Sequence, residues 1–124
     1  ENKMGKFIGS GLIATKTISS AQSILAGATD YSNSIDTRIW GGFTSLELVL
    51  SGASPSVTVT QQCSNDNSTW YDPKDSSNNA LGAIATTATA SRFIQFDPVM
   101  APFIRLKYVA AADTTITARL NIKE

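Results

Sequence analysis

Apolar and polar residues alternate one for one through several stretches of this chain, and a period of two predicts strands with one buried face. The stretch from Arg92 to Val109 carries the pattern most fully. Ile104, Leu106 and Tyr108 fall on one face of a strand, and Arg105 and Lys107 fall on the other. Just before it, Arg92, Ile94 and Phe96 alternate with Phe93 and Gln95, so both faces hold some apolar area. Pro98 and Pro102 have no N–H to give to a ladder, which puts both in a corner joining two strands. Phe43 to Leu50 places Leu46, Leu48 and Leu50 on one face, and Glu47 is its one charge, as expected of a central strand. Ser56 to Cys63 sets Val57, Val59, Gln61 and Cys63 against Ser56, Thr58, Thr60 and Gln62. Thr115 to Ile122 turns Ile116, Ala118, Leu120 and Ile122 inward. Weaker patterns predict a first strand over Leu12 to Ile18, a short one within Ser23 to Tyr31, and another within Leu81 to Ala90.

Turn chemistry separates these runs. Ser19 to Gln22 reads as a turn, Trp40-Gly41-Gly42 as a tight break, and Ser51 to Pro55 and Ala110 to Thr114 as connections. Ser64 to Thr69 is rich in Asn and Asp, whose side chains imitate backbone turns, so it predicts a hairpin leading into Trp70 and Tyr71. Seven or eight strands separated by turns about every ten residues, with no long helix, predict an all-β protein: an antiparallel β-sandwich, jelly-roll-like. Residues 12–124 form that single domain. Residues 1–11 are polar, broken by glycine, and read as an extended N-terminal arm with Phe7 and Ile8 as its anchors. The chain opens on Glu1 rather than Met, which leads to the expectation that residues once preceded it.

Composition narrows the function. At 124 residues an unstapled core is feasible. Charged residues are 16% of the chain, below the ~25% usual for soluble domains, and they cancel to zero net charge. No long-range field draws polyanions, so nucleic acid is not an expected partner. No apolar run approaches a membrane span. Histidine is absent, which removes the commonest general base and any triad built on it. Cys63 is the single cysteine, so no intrachain disulfide forms, and it reads as a small buried strand residue.

Four groups of residues could carry chemistry. Asn65, Asp66, Asn67, Asp72 and Asp75 offer the hard oxygen ligands that calcium takes, but their spacing fits no EF-hand loop, and ordinary turn chemistry explains them; no cofactor is expected. Trp40, Trp70 and Tyr71 are candidates for a sugar-stacking platform, with Asn65 and Asp66 as polar neighbours and Tyr71 the most exposed member. Two of Asp66, Asp72, Asp75 and Asp97 would have to face one another across a cleft to act as a glycosidase pair. They sit in turns without supporting groups, so no enzymatic activity is expected. Arg38, Arg92, Arg105 and Arg119 are spread along the chain, some on outward strand faces, as in a modest protein–protein interface.

Ser64 to Tyr71, then Ser91-Arg92-Phe93-Ile94, then Ala101 to Tyr108 together resemble a pattern found in small virion structural proteins of tailed bacteriophages. That pattern runs from a variable polar arm through an S-N-D-x-x-x-W hairpin to an A-P/R-Y/F-I-R strand and a final Thr-rich strand. The resemblance covers roughly residues 43 to 122. It implies a capsid decoration (cement) protein or another accessory, sitting on the capsid surface of the virion. Its partners would be capsid proteins and sister copies, as a homo-oligomer with a trimer favoured, the arm docking through Phe7 and Ile8. The S-x-D-x-x-x-W piece is also similar to discoidin-like galactose-binding jelly rolls. That similarity implies a carbohydrate-binding module using Trp70, Tyr71, Asn65 and Asp66, although the paired cysteines of those domains are missing here.

Overall fold

A computed structural model of the chain describes residues 13–38, 40–87 and 91–123. The N-terminal arm, with Phe7 and Ile8, lies outside the described residues.

Nine strands are described: β1 (Ile13–Ile24), β2 (Thr29–Tyr31), β3 (Ile35–Asp36), β4 (Gly42–Ser51), β5 (Ser56–Ser64), β6 (Ala85–Thr87), β7 (Arg92–Gln95), β8 (Phe103–Ala112) and β9 (Thr114–Lys123). They form two antiparallel sheets. One runs in the order β1-β9-β4-β7 and the other β2-β8-β5-β6, with β3 also pairing β8. The two short strands β2 and β3 share β8 as partner and act as one interrupted strand, which makes eight.

The pairings explain the order. β1 pairs β9, β2 and β3 pair β8, β4 pairs β7, and β5 pairs β6. The first half of the chain is thus laid antiparallel along the second half as one long ribbon. Rolling the ribbon up brings β4 against β9 and β5 against β8. This is the jelly roll, the sandwich in which the predicted strands find their places. The tip of the ribbon is the segment 65–84.

The core lies between the sheets and is made by the predicted alternation. Leu46, Leu48, Val59, Leu106, Tyr108, Ile116, Ala118 and Ile122 have no exposed surface. Tyr108 carries a polar group into the core, and its hydroxyl is satisfied by the buried Ser19 hydroxyl at 2.8 Å. Phe96 is buried beyond the end of β7 and meets Phe43 edge to face, with centroids 5.5 Å apart.

Two expectations are corrected. The first strand does not stop at Ile18 but continues to Ile24, and Ser19 to Gln22 is strand rather than turn. Two irregularities in the β1–β9 register let it bend there: Ala21 takes a φ of +47°, and its N–H bonds Thr117 Oγ1 at 3.0 Å. The short strand predicted within Ser23 to Tyr31 is β2, set off from the end of β1 by a turn at Gly27. The short strand predicted within Leu81 to Ala90 is β6, Ala85–Thr87. The two strands predicted in the Arg92–Val109 stretch are β7 and β8. β7 belongs to one sheet and β8 to the other, and the Pro98–Pro102 corner carries the chain across the sandwich. That corner is held by Gln61, whose side-chain amide accepts from Val99 N–H at 2.9 Å and donates to Val99 C=O at 2.6 Å. Thr37 N–H also donates to the Pro102 carbonyl at 2.9 Å.

The β4–β5 turn depends on a glycine. Gly52 has a φ of +137°, and a Cβ there would sit 2.9 Å from the Asp113 carbonyl oxygen. Gly52→Ala is expected to cost about 2 kcal/mol or more, from strain and backbone clash together. Gly82→Ala, where a Cβ meets nothing within 4 Å, should leave the urea midpoint almost unchanged. Equal midpoints for the two variants would contradict this account of the turn.

Candidate interaction face

The outward side of the β2-β8-β5 sheet brings together several aromatic and basic groups that lie far apart in the sequence. Ile104, Leu106 and Tyr108 point into the core, so Phe103, Arg105, Lys107 and Val109 of β8 point out. Register then sets their neighbours. Gln62 of β5 lies beside Arg105, and Tyr31 of β2 lies beside Lys107. The ribbon tip folds back over this face. Cys63 and Tyr71 exchange two backbone hydrogen bonds of 2.9 Å, which turns the chain and brings Trp70 above β8.

Arg105 is the centre of the arrangement. Its guanidinium carbon lies 3.9 Å from the Tyr31 ring centroid and 4.3 Å from that of Trp70, so the flat cation is stacked between two aromatic rings. Its Nε donates to Gln62 Oε1 at 2.9 Å. Gln62 is buried and donates in turn to Asp72 Oδ1 at 3.0 Å, while Lys107 Nζ stands 3.9 Å from the other Asp72 oxygen. Partial desolvation between the rings draws the Arg105 pKa down. Further along β8, the Arg38 guanidinium lies over the Phe103 ring at 4.9 Å and is gripped by Asp36. The Arg38 hydrogen bonds hold the Asp36 pKa down at about 2.

The residues proposed for sugar contact are placed as follows. One face of Trp70 is occupied by Arg105, and Trp70 is half-buried. Tyr71 is 66% exposed, the open aromatic of the set, and Trp40 packs against the core far along the chain from both. Asn65 is exposed. Asp66 is engaged as a turn cap: its Oδ1 accepts from Thr69 N–H at 2.8 Å, Ser68 N–H at 2.9 Å and the Ser64 hydroxyl at 2.9 Å. These bonds, the backbone ones first, lower its pKa. Asp75 is the same kind of cap, accepting from Ser77 and Asn79 N–H groups. Among the described residues no group of three or more His, Cys, Asp and Glu side chains is placed to hold a metal.

Asp72 and Asp97 do share a cleft of about 390 Å³, at the edge of β5 beneath the ribbon tip. Lys74, Lys107, Leu81 and Val99 line it with them, so its walls mix both charges with apolar groups. Cys63 is half-buried rather than fully buried. Burial raises its pKa, opposed in part by the hydrogen bond its sulfur accepts from the Gln61 amide at 3.1 Å.

Sequence reading missed Tyr31 as a site residue and missed the link between Trp70 and Arg105. Alternation put Arg105 and Gln62 on outward faces, but a three-residue strand such as β2 leaves no periodic signal around Tyr31.

No protein-family model matches the chain, and no curated sequence does. Among solved structures it is similar to the SPBc2 prophage-derived protein YomS, with a TM-score of 0.51, 15% identity, and coverage of 89% of this chain and 95% of that one. At this identity the likeness establishes a shared fold, an all-β sandwich spanning almost the whole of both chains.

Proposed function

We propose that this chain is a non-catalytic structural component of a phage or prophage particle, a decoration protein that docks on the capsid surface through the outward face of the β2-β8-β5 sheet. The observation that carries this reading is the fold. The chain is an eight-stranded jelly roll, an architecture that builds viral capsid domains, and it shares its fold with a prophage-derived protein along nearly its full length. The stacked Tyr31, Arg105 and Trp70 add support, because these three residue types are enriched among the energetic anchors of protein interfaces. A trimer that also engages the lattice through Phe7 and Ile8 would convert weak single contacts into stable attachment.

The test is sedimentation of particles produced by the phage or prophage that encodes the chain. The protein is expected in the particle band, at a fixed ratio to the main shell protein. Recovery only in the soluble fraction would overturn the proposal. Removing residues 1–11 should lower occupancy on particles while leaving the thermal midpoint of the domain unchanged; full occupancy would dismiss the arm alone.

A further inference from the structure

We infer that Arg105 is a preformed receptor for a carboxylate, an Asp or Glu side chain on the protein surface against which this sheet docks. The inference rests on the docking role proposed above and names the chemistry of its partner.

The geometry of the guanidinium leaves one way in. Tyr31 and Trp70 lie over the cation at 3.9 and 4.3 Å and cover its planar surface. Gln62 takes the Nε edge at 2.9 Å. The edge formed by the two terminal nitrogens remains, and among the described residues it has no acceptor. A fork of parallel N–H donors matches the two oxygens of a carboxylate in one plane.

Two ion-paired arginines show what Arg105 lacks. Arg38 grips Asp36 with Nε at 2.9 Å and Nη2 at 2.7 Å, and Arg119 reaches Glu47 at 2.7 Å. No carboxylate of the described residues comes within ion-pairing distance of Arg105. Asp72, which is linked to it through Gln62, is already shared between Gln62 and Lys107. A fixed positive charge without a countercharge is thus held on the outward face of a chain whose net charge is zero. Its rigidity matters as well. A free arginine loses rotamer freedom when it binds, whereas this one is already ordered by two rings and a buried amide. An anionic partner of another kind, a phosphate on nucleic acid, is less well matched, because the chain lacks the basic surroundings such binding draws on.

The test has two arms. In the first, acetate, inorganic phosphate and chloride are titrated at constant ionic strength into the isolated protein. The Arg105 side-chain N–H and Trp70 indole N–H resonances are followed by NMR. Acetate should move both to saturation, with smaller shifts from phosphate and none from chloride, and R105K should show no indole shift. No response to acetate overturns the inference, and so does a stronger response to phosphate. In the second arm, R105K and R105Q are compared with the unaltered chain for binding to particles. Both should bind about tenfold more weakly or worse, at an unchanged thermal midpoint, since lysine keeps the charge but not the fork. If R105K binds particles as the unaltered protein does, the carboxylate inference fails while the docking role stands. If the unaltered protein does not bind particles at all, the docking role fails, and with it the assignment of the carboxylate to a partner surface.

Discussion

Leu48→Ala is expected to lower the free energy of unfolding by about 3 kcal/mol, the middle of the range for removing a fully buried leucine side chain. Leu48 has no exposed surface and sits in the middle of β4. Its register partners are Ala118 on β9 and Arg92 on β7, so β4 is hydrogen-bonded along both edges at this point. That is why the loss should be large. A hydrogen-bonded strand cannot move inward to fill the space, and the methyl of Ala118 beside it is too small to do so. Against a total stability of about 5–15 kcal/mol, the change is a large share. The midpoint of urea unfolding measures it. Val49→Ala, one residue along on the outward face, should cost about 1 kcal/mol or less. A loss at Leu48 no greater than at Val49 would mean that the core closes over the gap, and that the two-edged support claimed for β4 is wrong.

Between about pH 10 and pH 12 the protein is expected to lose about 2–3 kcal/mol of stability through Tyr108 alone. Burial raises its pKa from 10.0 to about 12, partly opposed by its hydrogen bonds to Ser19 and Ser32. The sign follows from which state holds the proton more tightly. Below pH 10 the phenol is protonated in both states and contributes no pH dependence. Above pH 10 the unfolded chain releases the proton while the folded chain retains it, so the unfolded state gains. The gain grows until the folded phenol also ionises near pH 12, and each unit of difference is worth about 1.4 kcal/mol. Tyr108→Phe removes the proton and should flatten this part of the profile. At neutral pH the same variant should cost about 1 kcal/mol, because Ser19, itself buried, loses the hydroxyl 2.8 Å away. Urea midpoints of the two proteins across this range decide the matter. Parallel profiles would show that Tyr108 is not the group responsible.

The bulged course of β1 shows where local reading of a chain stops working. Alternation predicts a strand as long as each residue in turn faces in or out. At Ile18 and Ser19 two consecutive residues are buried, and the pattern is lost. Ser19 looks like a turn residue beside Ser20 and Gln22. It is inside because the hydroxyl of Tyr108, a residue far along the chain, waits there for a partner. Asp66 is the opposite case. Its role as a turn cap was legible from its neighbours, because all the donors it accepts from lie within three residues.

Alternation within single stretches is enough to fix the all-β class of this protein and its inward faces. The alternation of Leu46, Leu48 and Leu50, of Ile104, Leu106 and Tyr108, and of Ile116, Ala118, Leu120 and Ile122 is the core, because the side-chain period of a strand is a property of the single strand. Which strands lie side by side is settled only in the folded molecule, since each cross-strand pair adds little and the choice rests on how all the strands pack together. The candidate face is made by that choice. Tyr31, Gln62, Trp70 and Arg105 come from three strands and the ribbon tip. They meet because β8 lies between β2 and β5 in the rolled ribbon, a pairing that no stretch of the chain announces locally.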